Sequence, residues 1–108
     1  MPQNERAILD IRKIEDYCLN PAHPRGRHKA RVFQEALGIK RSDAKWLRDV
    51  LLRAACEAEA TELARDAFGT RWSQDVTVRR QGKFAVVKTI WILRTEGDSP
   101  RFVTCWVI

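Results

Sequence analysis

The spacing of apolar positions divides the chain into a helical first half and a strand-forming second half. Residues 1 to 9 read as a polar lead-in. Asp10 then caps a short helix with Ile11, Ile14, Cys18 and Leu19 on one stripe and Tyr17 beside it. Asn20-Pro21 ends that helix, and the loop to Gly26 is stiffened by Pro21 and Pro24, which holds His23 and Arg25 in a defined place. From Arg27 the helical period returns. Ala30, Phe33, Ala36 and Leu37 share a stripe, and Gly38 stands where a helix ends in a left-handed residue. Ser42 with Asp43 opens a third helix, whose stripe is Trp46, Leu47, Val50, Leu51, Ala54 and Ala55, with Arg48 and Arg53 outward. The run AACEAEATELARDAF keeps good helix propensity, so local preference carries this helix to about Phe68, where Gly69 breaks it.

After Gly69 the period changes to two. Trp72, Val76 and Val78 alternate with polar residues, predicting a half-buried strand from about Arg71 to Val78. Gln81-Gly82 fits a tight turn. KFAVVKTIWIL is β-branched and aromatic on both faces, as in a central strand, the stretch from Glu96 to Pro100 reads as a hairpin loop, and RFVTCWVI is the last strand. Helices followed by consecutive antiparallel strands predict an α+β fold in one domain over residues 1–108. Its helical part, about 10–58, would pack on one face of a sheet of three or four strands, about 61–108.

Composition narrows the function. Of 108 residues 44% are hydrophobic and 31% charged, a globular composition with one modest core. Twenty Lys and Arg against 14 Asp and Glu leave a net charge of +6, which favours a polyanionic partner, nucleic acid ahead of a membrane surface. A basic surface that merely keeps the protein soluble is the plainer reading. Cys18, Cys56 and Cys105 are odd in number and show no CxxC or Cys/His ligand spacing, so three buried, reduced thiols are expected and no metal or other cofactor. No signal-peptide core or membrane-length apolar run is visible, which places the protein in the cytoplasm, and Met1 reads as the start of a whole gene product.

The stretch NPAHPRGRHKARVFQEALG, Asn20 to Gly38, holds both histidines and the cationic run Arg25, Arg27, His28 and Lys29. Helix N-termini already present a positive dipole end and unpaired N–H groups, so cations there are unfavourable unless an anion occupies the site.

YCLNPAHPRGRHKARVFQEALGI, FGTRW, VKTIWIL and PRFVTCW together resemble a bacterial domain family of unknown function over roughly residues 10 to 106. The family shows a tyrosine-leucine-asparagine-proline turn, a Gly-x-x-Lys-Ala-x-x-Phe helix start, a strand ending in Thr-x-Trp and a last strand around Pro-x-x-Val-Thr. Tyr17, Pro21, Pro24, Gly26, Lys29, Ala30, Phe33, Gly38, Gly69, Trp91, Pro100 and Thr104 match it, whereas Cys105-Trp106 stands where a small residue and a tyrosine are usual. The layout is similar to the metal-independent ribonuclease toxins grouped with barnase, EndoU, colicin tRNases and RelE. That resemblance implies helices against a four-stranded antiparallel sheet, and therefore a strand at Thr61 to Asp66 in place of the helix that propensity favours.

It also implies chemistry that these side chains supply. Driving a ribose 2′-OH onto the adjacent phosphorus needs a base, an acid and positive charge on the phosphorane oxygens. The catalytic candidates are His28, Lys29 and Thr104. Arg25, Arg27, Arg31, Arg79 and Arg80 are candidates for phosphate, and Trp106 (or Trp72) for stacking a base. The expected partners are RNA and an acidic antitoxin or immunity protein, with no membrane. Each residue also has a plainer role: His28-Lys29 a solvated helix start, His23 a turn residue, Arg79-Arg80 a solubilising hairpin end, Trp46 and Trp91 core. The alternative function is a non-catalytic module that binds nucleic acid or protein, such as a phage-type inhibitor or regulatory subunit.

Overall fold

Residues 1–97 and 99–108 are described by the computed structural model, so Asp98, in the expected Glu96 to Pro100 loop, lies outside the described residues. Four strands, β1 (Thr61–Asp66), β2 (Gly69–Arg80), β3 (Lys83–Arg94) and β4 (Arg101–Val107), form one antiparallel sheet in chain order. Two helices, α1 (Arg27–Leu37) and α2 (Ala44–Glu57), pack with a π-type helical turn at Ile14–Cys18 on one side of it. The fold is α+β. No helix among the described residues is long and apolar enough to cross a membrane.

The sheet is built by register. Trp72 opposes Trp91, Gln74 opposes Thr89 and Val76 opposes Val87, and these positions turn to the helices. The core unites Val76, Val78, Val87, Trp91 and Phe102 of the sheet with Ile14, Phe33, Leu37, Leu47 and Leu51 of the helical layer. Two glycines enable the chain reversals by conformation. Gly38 takes φ 65° to end α1, and Gly69 takes φ 148° where a Cβ would sit 2.2 Å from the Leu93 carbonyl oxygen.

The structure departs from local expectation at five places. First, α2 stops at Glu57 and Thr61–Asp66 is strand, not helix. The buried Gln74 amide donates to the carbonyls of Ala55 (3.4 Å) and Ala58 (3.1 Å), which ends the helix with a partner from β2. The freed chain then pairs with β2, Thr61 opposite Ser73 and Asp66 opposite Gly69. Propensity lost to tertiary pairing.

Second, the lead-in is not merely polar. Leu9 is buried, and Ile8 forms a parallel bridge to β4, donating to Pro100 O (2.8 Å) and accepting from Phe102 N (2.9 Å). An edge strand needs such cover. Third, β4 carries a bulge. Trp91 opposes Phe102 but Ile90 opposes Thr104, so Val103 is extra, and Thr104 and Trp106 leave the face with Phe102 on which plain strand alternation would put them.

Fourth, Trp46 is 37% exposed and lies under the Arg80 guanidinium at 4.7 Å, while Ala44, Leu47, Leu51 and Ala55 form the buried face of α2. Fifth, Cys18 and Cys105 are buried but Cys56 is exposed on the last turn of α2, its sulfur donating to Asn4 O at 3.8 Å.

Candidate functional site

Lys29 stands in the first turn of α1, and its side chain runs to the outer edge of the sheet. Its ammonium donates to Thr104 Oγ1 at 3.0 Å and to Tyr17 Oη at 3.2 Å. Two aromatic rings flank the charge, Tyr17 with its centroid at 4.7 Å and Trp106 at 5.5 Å. An ammonium has three N–H groups, so one remains for a further acceptor.

The turn before α1 sets this geometry. His23 Nδ1 accepts from the backbone N–H of Arg25 (3.0 Å) and of Gly26 (2.9 Å), and the ring stacks on Tyr17 at 4.7 Å. His23 therefore closes the turn and braces the tyrosine that holds Lys29. Gly26 packs directly on that tyrosine's backbone, since a Cβ there would lie 2.1 Å from Tyr17 O.

Behind Thr104 lie two thiols. Cys18 Sγ is 3.7 Å from Thr104 Oγ1. The Cys105 thiol and backbone N–H donate to Cys18, and with Thr104 and the Lys29 charge they outweigh burial, holding the Cys18 thiol down at about 6. The Cys105 thiol is pushed up by that hydrogen bond and by its own burial. With Cys18 as the thiolate, Thr104 donates to it and keeps its oxygen lone pairs for Lys29.

A groove of about 470 Å³ opens beside this centre, lined by His28, Lys29, Val32, Trp106 and Val107. His28 is exposed on α1 and also lines a second groove of about 740 Å³, with Arg27 and Arg31 on its other walls. Of the residues singled out in the sequence, Lys29, Thr104 and Trp106 are thus in one cluster, His28 borders it, and Arg27 and Arg31 line the second groove. Arg25 is exposed and lines neither groove, although its backbone N–H helps fix His23. Arg79 and Arg80 line neither groove. Arg79 lies over Phe84 at 5.4 Å, and Arg80 is bound to Asp43 at 3.1 Å and stacked on Trp46.

Tyr17 and Cys18 are the contributors that the sequence reading did not single out. Cys18 lies on a stripe that reads as core, and Tyr17 beside it, although Tyr17 heads the family's characteristic turn. No group of three or more His, Cys, Asp or Glu side chains gathers as for a metal ion among the described residues.

Residues 1–108 match the family described as a domain of unknown function, DUF6883. The chain belongs to that family. No curated protein matches it in sequence. Among solved structures, a chain of the contact-dependent growth inhibition toxin–immunity protein complex from Klebsiella pneumoniae 342 superposes with a TM-score of 0.71. The identity is 14%, and the match covers 94% of this chain and 99% of that one. At that identity the likeness is one of fold. The DUF6883 chain and the Klebsiella chain share the architecture.

Proposed function

We propose that the protein is a metal-independent endoribonuclease toxin restrained by an acidic antitoxin or immunity protein. The observation that carries this reading is the Lys29–Thr104 contact beside a groove that Lys29 and His28 line. RNA laid in the groove would bring its scissile phosphate to the remaining Lys29 N–H. His28, neutral, takes the proton of the ribose 2′-OH as O2′ bonds to phosphorus. Lys29 neutralises the phosphorane oxygens, and Thr104 fixes the ammonium there. The P–O5′ bond breaks, and O5′ takes a proton from the Lys29 ammonium. The products are a 2′,3′-cyclic phosphate and a 5′-hydroxyl. Trp106 offers a π face for a base.

Two things support the acidic partner. The net charge of +6 suits an acidic inhibitor, and the fold is shared with a chain of a toxin–immunity protein complex. Induced expression in bacterial cells should arrest growth and leave RNA fragments with cyclic phosphate ends. His28→Ala and Lys29→Ala should each restore growth. Unimpaired growth with intact RNA on expressing the soluble wild-type protein sinks the proposal.

One observation favours a non-catalytic, nucleic-acid-binding role instead. His28 is exposed and has no hydrogen-bond partner among the described residues, whereas a catalytic base is usually oriented by a second group. Under that reading RNA binding is salt-sensitive and no cleavage is seen.

A further inference from the structure

The second groove runs between α1 and the chain that returns from it, and its chemistry differs from that of the Lys29 centre. Pro21 supplies an exposed apolar face above the buried Leu19 and Ile39, and Arg27, Arg31 and Lys40 supply a cationic wall. None of these three cations is in an ion pair, and no carboxylate lines the groove, among the described residues. Arg41, at its end, is by contrast held by Asp16 at 2.8 Å. Arg27 and Arg31 are one helical turn apart, a spacing at which like charges repel. Arg27 also stands in a first turn that has no acidic residue. An anion resolves both conflicts. The volume of about 740 Å³ lies in the range of ligand sites, and His28 joins this groove to the one beside Lys29.

We infer that this groove binds the single-stranded RNA flanking the scissile phosphate, a phosphate on Arg27, Arg31 and Lys40 and its base on the exposed face of Pro21. The inference rests on the ribonuclease reading for its substrate and extends that site by one nucleotide. Acidic protein would satisfy the cations but has no use for the exposed proline face beside them. Unpaired bases are recognised through their faces as well as through their phosphates, and this combination suits a nucleotide.

The test uses a fluorescent 2′-O-methyl oligonucleotide, whose blocked 2′-oxygen prevents cleavage, and follows its affinity for the full chain against salt. Each phosphate contact on a single strand contributes about 0.7 to the slope of log K against log salt. Arg31→Ala and Lys40→Ala should each lower the slope, together by about that amount, and Arg53→Ala, on the exposed face of α2, should leave it unchanged. Both altered residues are exposed, so folding is not at stake. An abasic strand of the same length should bind several-fold more weakly than the intact one.

Slopes for Arg31→Ala and Lys40→Ala equal to that of Arg53→Ala overturn the inference, and RNA cleavage by the wild type would then still uphold the enzyme. Lowered slopes without any cleavage keep the groove as an RNA site and remove the ribonuclease. Equal affinity for abasic strand, intact strand and poly-glutamate reassigns the groove to acidic polypeptide and overturns it as a base site.

Discussion

Lys29 Nζ and Thr104 Oγ1 are 3.0 Å apart although 75 positions separate them in the chain. The contact joins the first turn of α1 to the bulged edge strand, and Tyr17 and Trp106 wall it on two sides. A lysine held so closely loses side-chain freedom, a cost that a purely solubilising charge need not bear.

Thr104→Val removes the hydroxyl and keeps the shape of the side chain. It should lower stability by about 1–2 kcal/mol. Lys29→Met should abolish RNA cleavage by roughly 10²-fold or more while far-UV circular dichroism is unchanged. The two changes act on one unit, so the cleavage rate of the double variant should fall little below that of Lys29→Met alone. Strictly multiplicative losses in a double-mutant cycle argue against a shared role.

Cys18 should titrate near pH 6, read as thiolate absorbance in the ultraviolet with Cys56→Ser to remove the exposed thiol. Its thiol is lowered from the ordinary 9.0, so the unfolded chain binds the proton more tightly than the folded one between these values. The resulting stability is fully present above about pH 9 and is lost as pH falls through about 6. The stability of the wild type relative to Cys18→Ala should therefore rise from pH 6 to 9. A pH-independent difference contradicts the thiolate.

Gly26→Ala places a methyl 2.1 Å from Tyr17 O and 2.6 Å from its ring. Backbone cannot yield as a flexible side chain does, so a loss of about 2 kcal/mol or more is expected in urea unfolding. Tyr17 holds both His23 and Lys29, so cleavage should fall beyond what the lost stability explains.

Arg80 lies outside both grooves. Its ion pair with Asp43 is largely shielded, the side chains being 17% and 24% exposed, and its guanidinium covers Trp46. Arg80→Ala should destabilise by about 1–3 kcal/mol. The salt slope of oligonucleotide binding should stay as in the wild type. A reduced slope would return Arg80 to the nucleic-acid surface.

Much of this was legible where a rule is local. The stripe Ala30, Phe33, Leu37 and the left-handed Gly38 define α1 in the sequence as in the structure, and Gln81-Gly82 makes its turn with positive φ at both residues. Where α2 ends was not legible, because the amide that ends it comes from Gln74 on another element. Nor was the bulge at Val103, which moves Thr104 off the Phe102 face and toward Lys29. The site residues could be chosen by chemical type, and Lys29, Thr104 and Trp106 do meet. Arg79 and Arg80, of the same type, do not join them, because side-chain type carries no address.

The parallel bridge from Ile8 and the Cys105 backbone N–H held by Cys18 have one more consequence. The strand that bears Thr104 is clasped along its outer side by the earliest part of the chain, and along its inner side by β3. During synthesis Lys29 emerges long before Thr104, and the two meet only once the strand that bears Thr104 has been made. Whatever chemistry the pair supports is therefore absent from a chain made only as far as β3.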